Sequence, residues 1–293
     1  MCAIWGFVRL RCFDNSDRSR SLLISRTQRL AIASSPRGTD AAGMAWIRPT
    51  GKLRVWKGPC SPLQFAKQAN VWTDLREDMP NMAIGHGRAA THGKASDNNN
   101  NHPVFSLSAG VALVHNGIIS NHDKVITDCG GKRDGAVDTE ALLRSVLHHT
   151  SSGKGGYPHA IRRTMADCSG GQAVALITTE QPDRLYLWRS GNPLWLGFDR
   201  ELGVIWFASA DTYINEATNV SRRELGFFDV RKDNAVVRQV EDSSVVTLVP
   251  EHGSNVVRMA HVVTKTAYPI SKWTSGYNPR DTDAITMDNW GGS

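Results

Sequence analysis

A cysteine sits directly behind the initiator methionine in the opening run MCAIWGF, and that placement gives it a chemistry no internal cysteine has. The small residue favours removal of Met1, which would leave Cys2 with a thiol and a free α-amine on one residue. An α-amine has an ordinary pKa of about 7.7 to 8.0, so it can take the thiol proton and later return it to a leaving group. Taken alone, Cys2 could equally be a small apolar residue that starts a strand. Catalysis needs further parts, and three separated segments have a fitting character: GHGRAATHG at 85–93, HNG at 115–117 and DTE at 138–140. Each reads as a strand ending in a loop rich in glycine, threonine, asparagine or aspartate. In isolation the Asn-Gly pair would be a tight turn, and Arg88 and Asp138 would be a surface ion pair or a helix cap.

Six stretches in chain order, MCAIWGF, RGTDAAG, GHGRAATHG, HNGIISNH, VDTE and RSGNPLWLG, together resemble the class II glutamine amidotransferases, a family with an N-terminal cysteine nucleophile. The glutaminase half of glucosamine-6-phosphate synthase is similar in pattern. Each motif is weak alone, but their shared order and spacing are specific. The resemblance covers Cys2 to Ala210 and, more loosely, the strands up to Pro250. It implies an α+β N-terminal-nucleophile (Ntn) hydrolase fold, a four-layer αββα sandwich of two mainly antiparallel sheets. It also implies roles. Cys2 attacks the side-chain amide of L-glutamine, and the Asn116 amide and Gly117 backbone N–H stabilise the oxyanion. Arg88 holds the substrate carboxylate and Asp138 its ammonium group, Thr91 and His92 line the pocket, and Arg37 orders the N-terminus. A γ-glutamyl thioester would form and ammonia would leave.

Three positions depart from the family pattern: Ala3 stands for a glycine, Gly87 for a threonine and Ala89 for a tryptophan. The histidines at 86, 92, 102, 115 and 122 have no ligand spacing, so neither a metal nor another cofactor is expected. His148 and His149 fall near the end of a predicted helix, where a positive partner for the dipole suffices.

These residues must be carried by a mixed set of elements. Ala3 to Leu10 alternates as a strand, and SLLISRTQRLAIAS has helical spacing. GMAWIRP and KLRVWKG form a hairpin pattern, and SPLQFAKQANVWTDL reads as one helix with Ser61 as N-cap and Pro62 in its first turn. SDNNNNHP is expected to be a polar loop that stays out of the core. Strand-like runs GVALVHNGII, QAVALIT, RLYLWRS, LWLGF, VIWFASA and VVTLVP follow, with helices predicted over VDTEALLRSVLHH and HAIRRTMAD.

The 293 residues are 40% hydrophobic and 21% charged, with a net charge of +6. That composition supports a folded domain over 1–250, and the basic residues are spread among acidic ones, so no nucleic-acid partner is expected. Residues 251–293 read as an irregular tail, with Tyr268, Trp273, Tyr277 and Trp290 available to dock on a partner. Five cysteines without a CxxC pair argue for a reducing, cytoplasmic setting, and no stretch is long and apolar enough to span a membrane. The expected activity is glutamine hydrolysis, with ammonia passed to a separate synthase subunit. A second reading makes the chain a structural or interaction subunit of a large assembly, such as a virion, that keeps the fold. Retention of Met1 would acylate the Cys2 amine, remove the base and favour that second reading.

Overall fold

The run AIWGFVR of β1 (Ala3–Arg9) is buried at every position but the last, as expected for a strand covered on both faces. In the computed structural model, which describes residues 2–10, 13–91, 93–130, 133–151, 155–199, 201–218, 235–240, 242–250, 256–263 and 284–286, that cover is a second sheet on one side and helices on the other. After β1 come α1 (Asp17–Ser34), β2 (Ala41–Ile47), β3 (Leu53–Gly58), α2 (Pro62–Phe65), α3 (Ala69–Asp78) and β4 (Met82–Arg88). The chain continues through β5 (Val104–Ser106), β6 (Val111–Ile119), α4 (His122–Asp128), α5 (Thr139–Ser151), α6 (Gly156–Asp167) and β7 (Gly170–Thr178). Then follow β8 (Leu185–Ser190), β9 (Trp195–Asp199), β10 (Val204–Ala208), α7 (Asp211–Thr218), β11 (Ala235–Gln239), β12 (Ser244–Pro250), β13 (Val256–Val263) and β14 (Ala284–Thr286).

Among the described residues two seven-stranded sheets result, ordered β11-β9-β10-β1-β4-β2-β3 and β14-β13-β12-β8-β7-β6-β5, with antiparallel ladders between neighbouring strands. Alternation along β1 divides the layers: Trp5 and Phe7 face α1, α3 and α7, while Ile4 and Val8 face the second sheet. The outer face of the second sheet packs Val111, Leu113 and Leu176 against Leu142, Val146 and Ile161 of α5 and α6. The order of layers is therefore helix, sheet, sheet, helix, the αββα sandwich.

Several local expectations need correction. The helix predicted across 61–75 is broken in two. Ser61 and Gln64 form a reciprocal capping box, but the chain becomes extended at Gln68 before α3 begins. The break frees the Ala66 carbonyl to accept from Trp72 Nε1 at 2.9 Å and sets Phe65 edge-on to Trp72. The polar loop SDNNNNHP does enter the core: Asn100, Asn101 and His102 are all buried. Helices α4 and α7 had no counterpart in the sequence reading. Strands β13 and β14 lie within the stretch read as irregular, whereas the four tail aromatics fall outside the described residues.

Candidate active site

Cys2 immediately precedes β1 and is half-buried, with its Sγ 3.5 Å from the Ala89 carbonyl. Burial pushes the Cys2 thiol up, opposed in smaller part by that hydrogen bond and by the charge of Arg88. At neutral pH the sulfur is therefore protonated, and attack requires a base. Two residues on, Ile4 is clamped by Ser209: the Ser209 N–H donates to the Ile4 carbonyl at 2.9 Å, and the Ile4 N–H donates to Ser209 Oγ at 2.9 Å.

Asn116 and Gly117 lie inside β6, not in a loop, which corrects both the turn and the strand-end readings of HNG. Gly117 pairs with Gln172 in the ladder to β7. A side chain there is excluded: a Cβ would sit 1.8 Å from the Gly171 carbonyl oxygen and 2.5 Å from His115 Nε2. Asn116 is buried and held on several sides. Its Nδ2 donates to Ser209 Oγ at 3.3 Å, and its carbonyl accepts from Asn192 Nδ2 at 2.7 Å. The preceding carbonyl, of His115, lies 2.9 Å from His86 Nε2 of the other sheet.

Arg88 ends β4 and is only 2% exposed. Its Nη1 donates to Asn101 Oδ1 at 3.2 Å and its Nη2 to the Gly93 carbonyl at 2.9 Å. Burial lowers the guanidinium pKa, while the charges of Cys2, Asp40 and Asp138 act in the opposite direction. Asp138, 3% exposed, precedes α5, yet its carboxylate accepts from the Ile119 N–H at 2.7 Å instead of capping the helix. Both charges act on the Cys2 thiol, so the structure brings Cys2, Arg88 and Asp138 to one place, joined to Asn116 through Ser209. Thr91 is exposed on the bend after β4, and His92 lies outside the described residues. Arg37 is half-buried in the turn after α1, and its Nη1 is buried without a hydrogen-bond partner among the described residues. The RGTD loop reaches the site by other residues: Asp40 Oδ2 accepts from the Ala90 N–H at 2.7 Å, and the Asp40 N–H donates to the Arg88 carbonyl at 3.0 Å. A Cβ on Gly38 would fall 2.3 Å from the Gly87 backbone, so only glycine allows this approach.

Residues 86–216 match the family model described as a glutamine amidotransferase domain. Over 252 residues, 84% of this chain and 38% of the relative, the chain is 31% identical to the glutamine–fructose-6-phosphate aminotransferase (isomerizing) of Pseudomonas putida. The enzyme of the same name from Chlorobaculum tepidum is 28% identical over 83% of this chain and 38% of its own length. The chain carries a class II glutamine amidotransferase domain. It spans well under half the length of these curated relatives. Among solved structures, glutamine phosphoribosylpyrophosphate amidotransferase from B. subtilis, complexed with ADP and GMP, superposes with a TM-score of 0.64 at 17% identity. That match covers 98% of this chain and 55% of the other, and it shows a shared fold.

Two of the three departures from the family pattern are neighbours in this amidotransferase domain. Ala3 and Gly87 are direct cross-strand partners between β1 and β4. The methyl group added at Ala3 thus stands opposite a residue with no side chain. A Cβ at Gly87 would already lie 2.8 Å from Pro62 Cγ, so a threonine does not fit there without a shift. Ala89, the third departure, offers its carbonyl to the Cys2 thiol.

The candidate site is backed by residues to which the sequence assigns no supporting role. His86, His102 and His115 form a buried cluster: the His86 and His102 rings stack at 4.0 Å, and His102 Nε2 and His115 Nδ1 meet Thr139 Oγ1 at 2.8 and 3.0 Å. Desolvation brings His86 down to about 3 and lowers His102 and His115 as well, so all three are neutral. Among the described residues, no group of three or more His, Cys, Asp or Glu is arranged to hold a metal ion, and no helix is long and apolar enough to cross a membrane. Lys57, brought down to about 8 by burial, donates to the Asn101 carbonyl at 2.8 Å and so braces the residue that holds Arg88. The only local signals for these partners were polar residues in unusually dense runs, NNNNH and GHGR.

Proposed function

We propose that this domain hydrolyses the side-chain amide of glutamine to glutamate and ammonia. With Met1 removed, the Cys2 α-amine takes the thiol proton and sulfur attacks the amide carbon. The Asn116 Nδ2–H and the Gly117 N–H stabilise the oxyanion. Collapse of the tetrahedral adduct breaks the C–N bond, the ammonium of Cys2 gives its proton to the departing nitrogen, and a γ-glutamyl thioester remains. Water then cleaves the thioester and regenerates the thiol. Arg88 and Asp138 bind the α-carboxylate and α-ammonium, and Thr91 and His92 border the pocket, with Arg37 supporting the loop beside it. The ammonia passes to the acceptor site of a separate synthase subunit or domain.

One observation carries this reading: a buried arginine and a buried aspartate, opposite in charge like the two ends of a free amino acid, both act on the Cys2 thiol. A free amino acid carries a carboxylate and an ammonium group, and a cation and an anion held beside one thiol match that pair in sign.

Intact-mass spectrometry before and after treatment with 6-diazo-5-oxonorleucine tests the proposal, together with ammonia release from glutamine, asparagine and γ-glutamyl amides. Loss of Met1, a single adduct on Cys2 and preference for glutamine are expected. A mature chain that keeps Met1 and forms no adduct overturns it, as does a Cys2→Ala protein that releases ammonia at the parent rate. A preference for another amide would keep the nucleophile and change the substrate.

A further inference from the structure

One hydroxyl group joins two parts of the site that belong to different sheets. Ser209 is fully buried directly after β10. Its register partner is Ile4, next in line after the Trp5–Ala208 pair. In a regular ladder the Ile4 N–H would meet a backbone carbonyl. Here it meets Ser209 Oγ at 2.9 Å, so the chain can leave the sheet towards α7 while β1 continues to Cys2 with its hydrogen bond satisfied. The same Oγ accepts from Asn116 Nδ2 at 3.3 Å, across the gap between the sheets.

We propose that Ser209 is a positioning residue that holds the Asn116 amide in register with the strand carrying the nucleophile. The inference rests on the glutamine-hydrolysing reading of Cys2 and Asn116. An oxyanion donor works only when it is aimed where charge develops, and Asn116 and Cys2 are carried by separate sheets that could slide relative to one another. A single oxygen bound to both removes that freedom. Taking one Nδ2 proton, Ser209 leaves the other to point elsewhere, which is what an oxyanion donor requires. Position 209 lies within the run VIWFASA, where composition shows only the end of a strand, so its role appears only when β1, β6 and β10 are assembled.

The test uses the full chain with Ser209→Ala and Ser209→Thr, each checked for folding by thermal unfolding. For S209A, kcat with glutamine should fall about 10-fold with KM within about twofold, and S209T should recover most of the loss. Alkylation of Cys2 by iodoacetamide, which forms no oxyanion, should change by less than about twofold. In an Asn116→Ala background, adding S209A should lower kcat by less than about twofold, because the donor it aims is gone. A wild-type kcat in S209A, or an undiminished drop in the Asn116→Ala background, overturns the proposal. A readout independent of turnover is the side-chain NH2 signals of Asn116 in ¹⁵N NMR, assigned by their absence from Asn116→Ala. These should shift and exchange faster with solvent in S209A. Unchanged signals overturn the positioning role even if the parent releases no ammonia, whereas an inactive parent with shifted signals counts against the hydrolase reading alone.

Discussion

At the residue scale, the candidate site depends on a few side chains for which near-substitutes should fail. The Arg88 guanidinium spans Asn101 Oδ1 and the Gly93 carbonyl while buried beside Cys2 and Asp138. A lysine keeps the charge but not the planar fork. On the proposed reading, in which Arg88 holds the carboxylate equally in ground and transition states, Arg88→Lys should raise the KM for glutamine about 10- to 100-fold with a smaller effect on kcat. Steady-state ammonia release measures both. Gly117 illustrates a steric limit instead of a polar one. Its missing Cβ would lie 1.8 Å from the Gly171 carbonyl oxygen, so Gly117→Ala must push β6 and β7 apart. We expect a loss of about 3 kcal/mol in denaturant unfolding, well beyond an ordinary surface change.

At the element scale, the segment between β4 and β5 does the least expected work. Four consecutive asparagines and a histidine would ordinarily stay in water, yet here Asn100, Asn101 and His102 are buried, and Asn101 is held by the chain around it. Asn101 Nδ2 donates to the Ala95 carbonyl at 2.7 Å and to Asn98 Oδ1 at 3.1 Å, which turns Oδ1 towards Arg88. Lys57 from β3 closes the network on the Asn101 carbonyl. Buried polar groups that are fully paired rigidify a loop, and the loss of one exposes the desolvation cost of the others. Asn101→Ala should therefore cost about 2 kcal/mol in urea unfolding and raise the KM for glutamine, with the thiol still open to alkylation. The helix pair α2 and α3 makes the same point with apolar groups. Their spacing is continuous in sequence, but the break at 66–68 is set by where Trp72 and Phe65 must pack.

At the scale of the whole molecule, the two sheets enclose ionisable groups that folding keeps neutral. His86, His102 and His115 lie between β4, β6 and α5, with Thr139 bridging two of them. In the unfolded chain each takes up a proton near pH 6.5, whereas in the folded chain His86 waits until about 3. Above pH 6.5 both states are neutral and the histidines contribute nothing to the pH dependence. As pH falls below 6.5 the unfolded state binds protons that the folded state refuses, so His86 lowers stability by about 1.4 kcal/mol per pH unit down to about pH 3, and His102 and His115 act in the same direction. Thermal unfolding between pH 7.5 and 4.5 should show the midpoint falling from about pH 6.5 downward, and a flat profile would contradict the buried cluster. The sequence by itself determined the strand alternation, the helical spacing of α1, α5 and α6, the six ordered motifs and the terminal cysteine, because these depend on residue type and on neighbours a few positions away. Only the tertiary structure decided that Asn100, Asn101 and His102 are buried, that Asn192 and Ser209 hold Asn116, and that Asp40 and Lys57 bond to the segments around Arg88. Each of those outcomes depends on a hydrogen-bond partner dozens of residues distant, and a polar side chain carries no local mark of whether such a partner will be there.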